Sequence, residues 1–181
     1  MTSYNSSSKL LHWFVAIGMI AIAALGVYME SFEAYAWYGF HKSVGMLLLI
    51  VILIRVFKRL KEGFNESESS SVMWQKVIAK VVHLSILIVT LLFPISGMMM
   101  SIGGGRGADI FGLTLISPNI DSVTEKVVPI NETVASLGAQ AHGLLLDALV
   151  VLLFLHVGAA LKHHFVNNND VLNNMISFKG K

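Results

Sequence analysis

The sequence contains no cysteine. That absence excludes disulfides, thiolate metal ligands, iron–sulfur clusters and the C-x-x-C-H attachment of a c-type haem. Charge is scarce as well: 13% of the 181 residues are Asp, Glu, Lys or Arg, against about 25% in an ordinary soluble domain. Hydrophobic residues make up 55%, and the mean hydropathy is +0.69. A chain so poor in charge has lipid as its main solvent, and its length suits one domain. Any metal site must rest on histidine, methionine or carboxylate. Histidine is plentiful, at positions 12, 41, 83, 142, 156, 163 and 164.

Four long apolar runs organise the chain. Residues 13–29 carry no charge over 17 positions, near the lower limit for a membrane-spanning helix. The segment Glu30-Ser-Phe-Glu33 offers no small-residue cleavage site, so the run reads as a retained helix rather than a signal peptide. A second span covers about 38–57, with Lys42 near its entrance and Arg55 near its exit, both placed to snorkel toward headgroups. Residues 58–71 read as a loop. The third span, about 81–102, is interrupted only by His83 and by Pro94, which is expected to kink it. Gly103-Gly-Gly-Arg-Gly107 ends that helix. A long extramembrane connection follows to about Leu137, in which Ser122-x-x-Glu125 has capping-box spacing and predicts a short surface helix. The fourth span covers about 141–161 and contains one carboxylate, Asp147. The expected fold is an all-α four-helix transmembrane bundle.

Lys and Arg fix the expected orientation. One side gathers Lys9, Arg55, Lys58, Arg59, Lys61, Lys76, Lys80, Lys162, Lys179 and Lys181, and the other only Lys42, Arg106 and Lys126. The positive-inside rule then puts both termini in the cytoplasm. On this topology His12 opens the first helix at the inner side and His41 opens the second at the outer side. The fourth helix carries His142 near its outer end and His156 nearer its inner end. Fourteen residues of helix separate those two by ~21 Å along the axis and leave them within ~40° of one face. Each therefore has a partner at matching depth: His12 with His156, and His41 with His142.

Paired imidazoles across a bundle suit a bis-histidine haem, with the four residues as iron ligands and cofactor-binding groups. Gly39, Gly45, Gly143 and Gly158 would let a flat macrocycle approach the backbone, although glycine is also common where membrane helices pack. A single histidine at a membrane boundary is ordinarily interfacial; four at paired depths are costlier to explain that way. Zinc is the competing ligand, but it wants about four donors converging on one point.

Taken in order, His12-Trp13, His41-x-x-x-Gly45, His83 followed by Leu92-Phe-Pro-Ile-Ser-Gly97, Phe111-Gly-Leu-Thr114 and His156-x-x-Ala159-Ala-Leu-x-His163-His164 resemble the bacterial cytochrome b561 family over nearly the whole length. The resemblance implies a four-helix bundle with two non-covalent b haems, ligated in the same two pairs, in the bacterial inner membrane. It also implies candidate activities. One is a superoxide:ubiquinone oxidoreductase, with periplasmic superoxide as donor and ubiquinone as acceptor. The alternative is a haem-bearing membrane anchor for a partner dehydrogenase, which the short tails and modest loops disfavour. Beyond these the lipid bilayer is a partner, and no nucleic acid is expected.

An anionic substrate favours a positive entrance, for which Lys42, Arg106 and Lys126 are the candidate steering groups. They face six carboxylates on the same side: Glu30, Glu33, Asp109, Asp121, Glu125 and Glu132. With His12 and His156 paired, His83 has no histidine partner left at its depth; it reads either as a contact to a haem propionate or quinone, or as an interfacial side chain. Asp147 lies ~140° around the helix from His142, off the ligand face, where a structural interhelical hydrogen bond is the expected role and proton delivery to a reduced quinone the alternative.

Overall fold

Each apolar run lies inside a helix longer than itself. The computed structural model describes residues 5–63, 73–168 and 171–177. Helix α1 spans Ser6–Ser31, α2 Tyr38–Glu62, α3 Met73–Gly103 and α4 Glu132–Phe165, and a one-turn 3-10 helix at Tyr35–Trp37 leads into α2. All four long helices have the length and apolarity to cross a membrane. At 1.5 Å per residue they run about 38 to 51 Å, against roughly 30 Å of hydrocarbon. Hydropathy marks only the lipid-embedded part, whereas the backbone keeps its hydrogen bonds through the polar flanks. The expected loop at 58–71 accordingly starts later: α2 continues to Glu62 and turns at Gly63 (φ 72°), and residues 64–71 of that expectation lie outside the described residues.

Side chains set the ends. Asn131 accepts from the Val134 N–H at 3.0 Å, Glu132 sits in the first turn of α4, and Lys162, His163 and His164 occupy its last turn. The Asn131 cap satisfies a first-turn donor, and the charges of Glu132 and Lys162 match the sign of their ends of the helix dipole. Helix α3 passes through Pro94 without interruption and stops at Gly103.

Helix α4 packs along α3, while α1 packs on α2 and α2 on α3. Small residues allow the first contact. A Cβ on Gly138 would fall 2.5 Å from the Met100 nitrogen, and one on Gly103 would fall 2.8 Å from the Ala135 nitrogen. Val15, Met19 and Ile22 of α1, Leu48 and Ile52 of α2, Val89 and Phe93 of α3 and Leu149 of α4 form the core. Most other large apolar side chains face outward, Phe154 and Leu144 among them, as lipid requires. By contrast α4 stands off from α1 and α2.

The start of α1 and the segment that follows α4 share one face. A short helix, α5 (Val171–Ile176), folds back so that Lys9 donates to the Ser177 carbonyl at 2.9 Å and Trp13 Nε1 to the Met175 carbonyl at 3.1 Å. Ser8 donates to Glu62 at 2.8 Å beside them. The opposite face carries an antiparallel hairpin, β1 (Ala108–Ile110) and β2 (Leu113–Ile116). Its two-residue turn, Phe111 (φ 47°) and Gly112 (φ 90°), has both residues at positive φ, the combination that matches strand twist. Ser43 of α2 pins this turn by accepting from the Phe111 N–H at 2.9 Å.

The short helix expected at Ser122-x-x-Glu125 does not form. Asp121, one residue earlier, captures the local donors instead: the Thr124 N–H at 2.7 Å, the Thr124 hydroxyl at 2.9 Å and the Val123 N–H at 3.1 Å. These bonds hold its carboxyl below the usual carboxylate range, the Thr124 N–H contributing most. The result is a tight turn closed by a bridge between Ile120 and Val127.

Candidate functional site

The four histidines singled out by spacing meet in two pairs across the gap between α4 and the first two helices. At the hairpin end His41 of α2 faces His142 of α4, with ring centroids 6.3 Å apart. At the terminal end His12 of α1 faces His156 of α4, at 6.2 Å. A metal bound by imidazole sits about 2 Å from the nitrogen, and that nitrogen lies roughly 1.15 Å from the centroid of a ring with bonds of about 1.35 Å. Two imidazoles on opposite sides of one iron thus place their centroids about 6.3 Å apart. Both pairs have that spacing.

The hairpin-end pair borders a cavity of about 1000 Å³, at the upper end of the range for small-molecule and cofactor sites. Two buried side-chain polar atoms lack a hydrogen-bond partner among the described residues, His41 Nδ1 and the Tyr38 hydroxyl, and both residues line this cavity. Gly45 and Gly143 line it too, and a Cβ on either would meet nothing within 4 Å. Unsatisfied polar atoms beside open space lined by glycine and apolar side chains fit a flat, mostly apolar cofactor held through imidazole.

Neighbouring groups hold His142 firmly. Its Nδ1–H donates to the Phe93 carbonyl at 3.0 Å, and Ser96 Oγ lies 3.1 Å from the same nitrogen. A carbonyl only accepts, so the proton is on Nδ1 and the Nε2 lone pair is free for a metal. The Phe93 ring stacks on the imidazole at 4.2 Å and 8°. Gly97 and Gly26, which spacing did not single out, make room for the two rings: a Cβ on Gly97 would stand 3.2 Å from His142 Cε1, and one on Gly26 3.2 Å from His41 Cε1.

The terminal-end pair has different company. His83, left without a partner of its own by the His12–His156 pairing, lies edge-on to His156 at 5.0 Å. Its Nδ1–H donates to the Ala79 carbonyl at 2.7 Å. The separation is too short for an iron between those two rings, so spacing favours His12 as the partner of His156. Arg55, expected to snorkel, instead turns inward and donates from Nη2 to His12 Nδ1 at 3.0 Å. Trp13 packs edge-on to His12 at 5.5 Å. Among the described residues no group of three His, Cys, Asp or Glu converges as a multidentate metal site would need.

Of the three candidate steering cations, Lys42 and Arg106 line the hairpin-end cavity and both approach the Tyr38 ring, at 5.3 and 6.0 Å. Lys42 also pairs with Asp109 at 3.1 Å. Lys126 lies in the turn segment and does not line the cavity. Asp147 departs from expectation: it is exposed on α4, with no hydrogen bond or ion pair to another described residue.

The prokaryotic cytochrome b561 family model matches residues 3–178. The chain belongs to that family. Cytochromes b561 are membrane haem b electron-transfer proteins. The chain is 30% identical to cytochrome b561 homolog 2 of Escherichia coli (strain K12), over 96% of this chain and 90% of the relative. It is 25% identical to cytochrome b561 homolog 1 of the same organism, over 97% of this chain and 98% of that protein.

Proposed function

We propose that this cytochrome holds two b haems non-covalently, one between His41 and His142 and one between His12 and His156, and moves single electrons from periplasmic superoxide to ubiquinone. The observation that carries the reading is the pair of imidazole gaps, 6.3 and 6.2 Å wide, at opposite ends of the bundle. The excess of Lys and Arg on the terminal face supports a cytoplasmic placement of that face and a periplasmic one of the hairpin face, in the inner membrane of a bacterium. Haem held by these imidazoles would supply one-electron chemistry.

The residues around the outer pair divide the remaining work. Lys42 and Arg106 on the cavity rim attract an anion, with Asp109 offsetting part of the Lys42 charge. Phe93 and Ser96 fix the orientation and tautomer of His142. Each superoxide gives up one electron and leaves as dioxygen, and two electrons with two protons convert ubiquinone to ubiquinol. His83 beside the inner pair spends Nδ1–H on Ala79. Its Nε2 can accept from a quinol hydroxyl, or donate to a quinone or a propionate after taking up a proton.

Stopped-flow mixing of the purified cytochrome with superoxide tests the reading. Superoxide should reduce the haems faster than in a dismutase control, and ubiquinone should reoxidise them. Failure to reduce, together with co-purification of a dehydrogenase subunit, would instead support the membrane-anchor function.

A further inference from the structure

Three of the histidines at the two sites can accept a metal at Nε2 without disturbing a neighbour. His142 and His83 already donate from Nδ1 to carbonyls, and His41 Nδ1 has no partner among the described residues. His12 differs. Its Nδ1 lies 3.0 Å from Arg55 Nη2, and a guanidinium has donors only and stays charged. His12 Nδ1 must therefore accept, which leaves the proton of the neutral ring on Nε2. A metal on Nε2 requires the opposite tautomer, with a proton on Nδ1 aimed at another donor. A metal on Nδ1 would displace the guanidinium outright. The Arg55 contact and a metal on a neutral His12 exclude each other.

Once released, Arg55 needs an anion. It is only partly exposed, and no carboxylate among the described residues pairs with it. An unpaired guanidinium away from bulk water is costly. Haem b brings two carboxylates, and a carboxylate matches the planar fork of arginine. We propose that Arg55 is the carboxylate site of the inner haem: it holds His12 before loading and exchanges that bond for a haem propionate on loading. The inference rests on His12 and His156 being the inner ligands.

Haem selectivity tests it. The full-length chain, stripped of haem in lipid nanodiscs, is titrated with protohaem and with protohaem dimethyl ester, which lacks free carboxylates. Inner-site binding is assigned as the component lost in His12→Ala and His156→Ala. The inner site of the wild type should prefer protohaem by about tenfold or more, as expected for one charge-assisted bond. Arg55→Gln should reduce that preference to near unity, and Arg55→Lys should retain part of it. The outer site serves as the folding control and should keep its wild-type behaviour in both variants. An undiminished inner preference in Arg55→Gln overturns the proposal, because a group other than the guanidinium would then hold the propionate. Loss of neither component in His12→Ala and His156→Ala would refute the ligand assignment instead.

Discussion

Phe93 supports His142 twice, stacking its ring on the imidazole at 4.2 Å and accepting the Nδ1 proton on its carbonyl at 3.0 Å. The carbonyl bond survives any side-chain substitution, but the stack does not. Phe93→Leu should cost on the order of 1–3 kcal/mol of stability, since Phe93 belongs to the core and the change removes volume. It should also lower outer-haem occupancy while leaving the inner haem intact. Thermal unfolding and haem-to-protein ratios check the two effects.

Glycine substitutions separate space made for the histidines from space for a cofactor. Gly97→Ala and Gly26→Ala press a methyl group to 3.2 Å from an imidazole and should displace it, lowering outer-haem content. At Gly45 and Gly143 a methyl meets no protein atom within 4 Å. In the haem-free protein these two alanines should be neutral or stabilising by up to about 1 kcal/mol, the usual helix preference over glycine. If the cavity is the haem's, both should still reduce haem binding. Unchanged haem affinity in Gly45→Ala and Gly143→Ala would place the macrocycle elsewhere.

Pattern made the four spans and the two histidine pairs legible, because lipid demands long uncharged helices and a helix fixes the angle between His142 and His156. Helix ends were less so: α4 starts at Glu132, fixed by the Asn131 side-chain cap, beyond the apolar run. The hairpin at Ala108–Ile116 escaped because its strands are three and four residues long, too short for periodicity. Its Phe111-Gly112 turn was present in the sequence as a signal. Contacts between helices distant in sequence, such as Arg55 with His12 or His83 with His156, depend on helix rotation, which spacing within one helix cannot supply.

The outer cations should contribute unequally. Lys42→Gln and Arg106→Gln remove charges from the cavity rim and should slow haem reduction by superoxide. The effect should shrink as salt rises, because steering acts within about 8 Å at physiological ionic strength. Lys126→Gln, away from the cavity, should change the rate by less than about twofold. Stopped-flow rates across an ionic-strength series decide this, with haem content as the control.

Asp147 offers a prediction of opposite sign. A carboxylate exposed on a lipid-facing helix is a burden of about 2.5–3.5 kcal/mol on insertion scales. Asp147→Leu should therefore improve membrane insertion and leave both haems in place. Impaired electron transfer in that variant would reveal a role for the carboxylate that its position away from the paired imidazoles does not provide.

The pairing of the histidines is tested most directly by redox titration of the haem spectrum in His12→Ala, His41→Ala, His142→Ala and His156→Ala. The wild type should titrate as two low-spin components. His41→Ala and His142→Ala should remove or shift the same one, and His12→Ala and His156→Ala the other. Loss of a single shared component in His12→Ala and His142→Ala, or one haem per chain in the wild type, would contradict two haems held in these gaps.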